Sequence, residues 1–308
     1  MTIDFAGQVA IVTGAGGGLG RAHALALAAR GAHVVVNDIG GSPEVSSADD
    51  TPDTPAGRVV AEITARGGSG IADHADVTDY TQVTAMVDRA LSAWGRIDIL
   101  INNAGILRDA SFRNAGLDDF RTVLDVHVMG AVNCSKAVWQ HMITQNYGRI
   151  LMTTSASGIY GNFGQANYAA AKSALVGLMN VLGIEGRSKG IHVNALAPLA
   201  TTHMTESIFD ATAAEILTPE SITPGALFLV STDAPTKTIL GAGGGTFAVS
   251  RMLESQGVFL PADARTPDDV ARHWPQISDS SVQSGTDSTT AQIQHFVDSA
   301  TRAGTVAR

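Results

Sequence analysis

The sequence predicts an α/β protein whose parallel sheet is covered by helices on both faces. Three observations carry this. Short strand-like runs alternate with helix-like segments along most of the chain. The strand-like runs are apolar throughout, as expected of strands buried on both faces. A glycine-rich turn joins the first such run to the first helix.

The elements follow in order. Val9-Ala10-Ile11-Val12 is an apolar run that stops at Thr13-Gly14, and residues 21–30 form a helix stopped by Gly31. His33-Val34-Val35-Val36-Asn37-Asp38 is the second strand. Residues 59–66 read as a helix ended by Gly67-Gly68, residues 70–76 as a weaker strand, and residues 83–94 as a helix stopped by Gly95. Ile97-Asp98-Ile99-Leu100-Ile101 is a buried strand. One long helix spans residues 120–146, before the strand Arg149-Ile150-Leu151-Met152-Thr153. A helix over 166–187, the strand Ile191-His192-Val193-Asn194-Ala195 and a last strand at 246–249 complete the series. Residues 40–57, rich in Ser, Asp and Pro, read as an exposed loop. The chain divides into a main domain over 1–261 and a C-terminal arm over 262–308, packed on the domain or partly disordered. No internal repeat is visible.

Composition narrows the function. A chain of 308 residues with 44% hydrophobic content builds one large domain or two small ones. A net charge of −9 argues against nucleic-acid binding, which calls for a basic face. The single cysteine, Cys134, excludes an intramolecular disulfide and a cysteine-based zinc cluster, and sits in an apolar stretch as a small buried residue. The nine histidines show no His-Glu-x-x-His spacing, so no metal is expected. No apolar run is long enough to span a bilayer. The segment Met1-Thr2-Ile3-Asp4-Phe5-Ala6-Gly7 has neither a basic region nor an apolar core. A cytoplasmic location is the expectation.

The turn Thr13-Gly14-Ala15-Gly16-Gly17-Gly18-Leu19-Gly20 suits a nucleotide. Glycines allow a tight turn and let backbone N–H groups approach a pyrophosphate at a helix N-terminus. The spacing is Gly-x-x-x-Gly-x-Gly rather than Gly-x-Gly-x-x-Gly. Asp38 ends the second strand, where a carboxylate can accept from an adenosine ribose 2′-OH and repel a 2′-phosphate. No Arg or Lys between Asp38 and Gly57 offsets that charge, so NAD is the expected cofactor. Asp76 and Val77 end the third strand as candidates for the adenine edge.

Tyr168 and Lys172 stand four residues apart on one helix, with Ser155 upstream. An ammonium beside a phenol favours the phenolate. Bringing a tyrosine from pKa about 10 to about 7 takes roughly 4 kcal/mol of preferential phenolate stabilisation, which requires a fixed cation in a sheltered site.

Together, Thr13 to Gly20, Asn102-Asn103-Ala104-Gly105, Ser155 and Tyr168-x-x-x-Lys172 resemble the short-chain dehydrogenase/reductase family. The resemblance implies a Rossmann-type doubly wound sheet of about seven strands and a nicotinamide dinucleotide. It implies that Tyr168 exchanges a proton with the substrate oxygen and that Ser155 hydrogen-bonds that oxygen. Lys172 would hold the nicotinamide ribose and lower the tyrosine pKa. Gly14, Gly18, Leu19, Gly20, Asn103, Ala104, Gly105, Pro198 and Leu199 would line the cofactor. Two positions depart from the family pattern. His127 stands where most members have Asn, and joins the catalytic set through backbone and ordered water. Leu199 follows Pro198 where many have Gly, which leaves open which threonine of 201–202 meets the carboxamide.

Within the family, the stretches 102–109 and 155–168 look like the (3R)-hydroxyacyl-CoA dehydrogenase part of peroxisomal multifunctional enzymes, some of which act on steroid-derived substrates. The resemblance implies an NAD-dependent enzyme interconverting a (3R)-3-hydroxyacyl-CoA and its 3-oxoacyl-CoA, as a homodimer or homotetramer. The alternatives are a 3-oxoacyl-acyl carrier protein reductase, a hydroxysteroid dehydrogenase and a non-catalytic NAD-binding regulatory protein. Residues 201–219 read as a mobile lid whose Met204, Ile208, Phe209, Ile216 and Leu217 form either an apolar substrate pocket or ordinary core.

Overall fold

The structure is a computed structural model that describes residues 2–40, 53–201, 211–286 and 288–306. Two compact units divide at Val249/Ser250. The first contains the sheet. Its strands are β1 (Val9–Thr13), β2 (His33–Asn37), β3 (Ser69–Asp73), β4 (Ile99–Asn102), β5 (Gly148–Thr153), β6 (Ile191–Leu199), β7 (Ile239–Gly243) and β8 (Thr246–Ser250). They lie in the order β3-β2-β1-β4-β5-β6-β7-β8. The ladders from β3 through β7 are all parallel. Gly244 and Gly245 both have positive φ (54° and 78°), the backbone of a two-residue hairpin, so β8 turns back along β7.

The expected doubly wound sheet is present, with eight strands rather than about seven. Alternating side chains of each strand feed two cores. Ala10, Val12, Val34, Val36, Ile99 and Ile101 face one layer, and Val9, Ile11, Val35 and Leu100 face the other. Burying each such side chain is worth about 1.5–3 kcal/mol against leaving it in water. The first layer is covered by α1 (Gly18–Ala28), α2 (Pro55–Ala65) and α9 (Pro219–Leu229). The second is covered by α3 (Tyr80–Trp94), α5 (Gly130–Gln145) and α7 (Ala166–Glu185). Three short helices complete this unit: α4 (Leu117–Leu124), α6 (Ala156–Tyr160) and α8 (Ala211–Ile216). No described helix is long and apolar enough to cross a membrane.

Several boundaries move for identifiable reasons. Helix α2 starts at Pro55 because Thr54 caps it, its side chain accepting from Gly57 N with proline at the first turn. Residues 55–57, expected in a loop, are therefore helical, and residues 41–52 of that expectation lie outside the described residues. Helix α3 starts at Tyr80 because Asp79 accepts from Thr81 N and Gln82 N. Strand β3 ends at Asp73, so Asp76 and Val77 lie in the following loop and not at the strand end. The long helix over 120–146 is broken by a π-helical turn, Asp125–Met129, closed by Gly130 N donating to Asp125 O. Gly130 is required there, since a Cβ would stand 2.7 Å from Val77 Cγ2.

The second unit, Ser250–Arg308, holds β9 (Glu254–Ser255) paired antiparallel with β10 (Gln283–Ser284). It also holds α10 (Pro267–Ile277) and α11 (Thr289–Val306). Helix α10 opens on a reciprocal cap between Thr266 and Asp269.

Candidate active site

The order β3-β2-β1-β4-β5 reverses direction between β1 and β4, which opens a crevice at the carboxyl ends of those strands. Every catalytic and cofactor candidate lies in or beside the segments that leave this edge, Asp76 and Val77 in the loop after β3, and Val77 lines one small cavity with Thr13, Asn102, Ala104 and His127.

The first wall is the glycine turn after β1. Gly14 has φ +61°, and a Cβ on it would stand 2.8 Å from Ala104 Cα. A Cβ on Gly20 would overlap the Gly14 carbonyl oxygen. The turn is clamped to the segment after β4. Asn103 Nδ2 donates to Thr13 O and Gly14 O, both at 3.0 Å. Thr13 Oγ1 accepts from Asn103 N (3.0 Å) and Ala104 N (3.1 Å). Gly17, at the N-cap of α1, supplies no capping side chain, so the first amides of the helix, including those of Gly18 and Leu19, have no side-chain cap and can serve an anion. Asp38 stands beside them. Its Oδ2 accepts from Gly16 N (2.9 Å) and its Oδ1 from Gly40 N (3.0 Å). A pyrophosphate-plus-ribose ligand fits this cradle: the glycines leave backbone room, the amides meet phosphate and the carboxylate meets hydroxyl.

Asp76 is tied into its own loop, accepting from Thr78 N and Thr78 Oγ1 at 2.8 Å each. Val77 is buried and packs on Gly130. Sequence reasoning missed the residue that ends β3. Asp73 is buried, accepts from Asn37 Nδ2 (3.0 Å) and Ala75 N (2.8 Å), and pairs with Arg89. It fixes the strand ends from which Asp38 projects, since Asp38 N also donates to Asp73 O (2.9 Å).

The second wall brings Ser155, Tyr168 and Lys172 together. Lys172 is 3% exposed and its Nζ donates to Thr153 O at 2.6 Å. Among the described residues its partner is a single carbonyl, and burial pushes the ammonium down to about 7. Nζ lies 5.3 Å from the Tyr168 ring centre. Ser155 caps α6, accepting from Ser157 N (3.2 Å). A Cβ on Gly158 would stand 2.6 Å from Lys172 Cβ, so the glycine permits α6 to lie against α7 at the lysine. Burial raises the Tyr168 phenol above its ordinary range, while the Ser155 side chain pulls the other way and the Asp109 charge raises it further. The expected depression of the phenol by Lys172 is therefore not a property of the ligand-free site. Desolvation outweighs the Ser155 hydrogen bond that favours the phenolate.

His127 lies on the π-helical turn, buried, with its ring edge-on to Tyr168 at 5.3 Å and 86°. Burial, helped by the Lys172 charge, pushes it down to about 3 against a smaller pull from Ile106, so it is neutral. It packs on Gly105, where a Cβ would overlap the imidazole. Around the mouth, Gln165 Nε2 donates to Asp109 Oδ2 (2.7 Å) and Asn167 Nδ2 to Arg108 O (2.8 Å), joining the loop after Gly105 to the start of α7. Neither contact was expected from the sequence, where these residues carry no spacing signal.

Pro198 and Leu199 close β6 beside β7, with Leu199 half-exposed. Thr201 Oγ1 is a buried hydroxyl without a hydrogen-bond partner among the described residues, which makes it the described threonine free to meet a carboxamide. Thr202, Met204, Ile208 and Phe209 lie outside the described residues. A larger cavity of about 490 Å³ lies elsewhere, between α1 and α9, and none of the expected site residues lines it.

Comparison with known proteins agrees with this geometry. A family model described as short chain dehydrogenase matches residues 8–213. Peroxisomal multifunctional enzyme A of Dictyostelium discoideum is 44% identical over 278 residues, covering 90% of this chain and 61% of that protein. The solved full-length peroxisomal multifunctional enzyme type 2 of Drosophila melanogaster superposes with a TM-score of 0.81 at 33% identity, over 96% of this chain and 50% of that one. A 7α-hydroxysteroid dehydrogenase solved with NADH and 7-oxo glycochenodeoxycholic acid superposes with a TM-score of 0.70 at 32% identity, over 79% of this chain and 95% of that one. The chain thus spans less than two thirds of the multifunctional relatives it matches. It belongs to the short-chain dehydrogenase family, and it is an oxidoreductase that uses a nicotinamide cofactor.

The geometry separates Tyr168 from His127. Tyr168→Phe should lower turnover by about 10²-fold or more, the scale of general acid–base catalysis, with nicotinamide-cofactor binding measured by fluorescence titration largely kept. His127→Asn should keep most of the turnover, because a carboxamide can meet the Ile106 backbone that the imidazole meets now. Loss of turnover in His127→Asn, with fold and cofactor affinity intact, would promote His127 to a direct proton carrier.

Proposed function

We propose that this short-chain dehydrogenase interconverts a (3R)-3-hydroxyacyl-CoA and its 3-oxoacyl-CoA with NAD. The observation that carries the chemistry is the meeting of Ser155, Tyr168 and a buried Lys172 at the crevice edge. The substrate class rests on the resemblance of stretches 102–109 and 155–168 to hydroxyacyl-CoA dehydrogenase domains. A steroid-derived acyl group stays within the proposal. When bound, the nicotinamide ring supplies the hydride acceptor or donor. The protein's own residues handle the proton. Ser155 Oγ and the Tyr168 phenol hydrogen-bond the substrate oxygen, and the phenol gives its proton to a ketone or takes one from an alcohol. Burial keeps the phenol protonated, which readies it for the ketone. Alcohol oxidation needs the phenolate, so its rate should climb from pH 7 to pH 9.

The choice of NAD is supported by Asp38. Both of its oxygens accept from backbone amides of the cradle, so it stays where a 2′-phosphate would lie. A like charge at about 4 Å costs a few kcal/mol at an effective dielectric near 20. The test is the absorbance of NADH formed from a (3R)-3-hydroxyacyl-CoA. Catalytic efficiency with NAD should exceed that with NADP at least about tenfold. Equal efficiency with NADP would overturn the cofactor assignment. No turnover of any 3-hydroxyacyl-CoA, with turnover of an acyl carrier protein thioester or a free hydroxysteroid, would overturn the substrate.

The proposal includes a homodimer or homotetramer. Helix α7 buries Leu175 and Val176 in its own core. It leaves Ala174, Gly177, Val181 and Ile184 exposed in one stripe at i, i+3, i+7 and i+10. Val181 and Ile184 are 52% and 51% exposed, unusual for paired apolar side chains on a helix. Light scattering at micromolar concentration should give twice or four times the chain mass of 31.8 kDa. A monomer would contradict it.

A further inference from the structure

His127 Nε2 lies 3.0 Å from Ile106 N and 2.8 Å from Ile106 O. One ring nitrogen either donates or accepts, so it serves one of these groups at a time. The imidazole is neutral and has a single N–H. Buried N–H groups are left unpaired more rarely than carbonyls, which favours Nε2 accepting from Ile106 N and places the ring proton on Nδ1.

His127 Nδ1 has no protein partner among the described residues, and neither has Asn102 Oδ1 at the end of β4. Both side chains are more than nine-tenths buried, at 3% and 6% exposed. The amide nitrogen of Asn102 is committed elsewhere, to Ser135 Oγ (3.2 Å) and Met152 Sδ (3.4 Å). Asn102 and His127 line one cavity of about 10 Å³, walled on its apolar side by Ala131 and Leu175. One water molecule needs about 10–15 Å³ and two or more polar partners.

We infer that Asn102 is a positioning residue that fixes the tautomer of His127 through one buried water. His127 Nδ1–H donates to the water oxygen, and the water donates to Asn102 Oδ1. The chain of hydrogen bonds then runs in one direction from Ile106 N–H to Asn102, with every side-chain atom in it satisfied. Its effect on the chemistry is indirect. It pins Ile106, and with it the Asn103–Gly105 wall that grips the glycine turn, and it sets the imidazole edge against the Tyr168 ring.

Long-range proton–nitrogen NMR spectra of the ligand-free protein, labelled with ¹⁵N-histidine, test this directly. His127 should show a protonated Nδ1 and a bare Nε2. In Asn102→Leu, which removes the acceptor at similar volume, the proton should move to Nε2 and face Ile106 O. The kinetic arm rests on the dehydrogenase reading. There, Asn102→Leu should lower turnover about tenfold beside His127 and less than twofold in the His127→Asn background, where a carboxamide meets Ile106 without help from Asn102. A proton on Nε2 in the parent protein overturns the inference, whether or not Asn102→Leu folds. Equal losses in both backgrounds also overturn it, because Asn102 would then act through Ser135 and Met152 alone. If the dehydrogenase reading fails instead, no variant turns over and the tautomer stays as inferred.

Discussion

A lysine buried against one backbone carbonyl sets the terms of this site. Lys172 Nζ meets Thr153 O at the end of β5, and α7 holds it there through Thr154 Oγ1, which donates to Lys172 O at 2.7 Å. Among the described residues no carboxylate offsets the desolvation of the ammonium, so the charge is weakly held. The same burial raises Tyr168 and lowers His127. Three titratable groups thus share one buried pocket in which each is biased toward its neutral form. A cofactor ribose beside Nζ would add the hydrogen-bond acceptors that the lysine lacks.

Steric exclusion places the other half of the machinery. Gly14, Gly20 and Gly105 each stand where a Cβ would meet backbone or the His127 ring, so the turn after β1 and the segment after β4 are in van der Waals contact. Thr13 and Asn103 then lock that contact with hydrogen bonds. The strand reversal between β1 and β4 supplies the crevice, and the Asp73 cluster under Asp38 holds the far edge of the cradle. Cofactor half and catalytic half meet at residues 103–106, which touch both.

Much of this was legible in the sequence because it depends on local pattern. Apolar runs gave β1, β2, β4, β5 and β6, and helix periodicity gave α1, α3 and α7. Ser155, Tyr168 and Lys172 could be paired because a four-residue spacing fixes a helix face. Strand β7 was not legible: Gly241 and Gly243 lower its strand signal, although Ile239 and Leu240 are buried. Helix α9 hid behind Pro219 and Pro224, one at its first turn and one inside it. The π-helical turn at 125–129 left the apolar period of a single long helix nearly intact. Charge states could not be read at all. The pair Tyr168 and Lys172 suggests a depressed phenol on paper, and only burial, which is set by the whole fold, reverses that expectation.

The chemistry of the site therefore turns on the state of Lys172 in the ligand-free protein. Its folded pKa lies below its ordinary value of 10.5, so between about 7 and that value the unfolded chain binds more protons, and this residue makes stability rise with pH across the window. Four lysines in the chain make a direct titration practicable. Carbon-13 NMR of lysine-labelled protein, with Lys172→Met to assign the signal, should show one lysine titrating near pH 7. A Lys172 signal that stays protonated up to the ordinary range near 10.5 would show instead that burial leaves the ammonium intact.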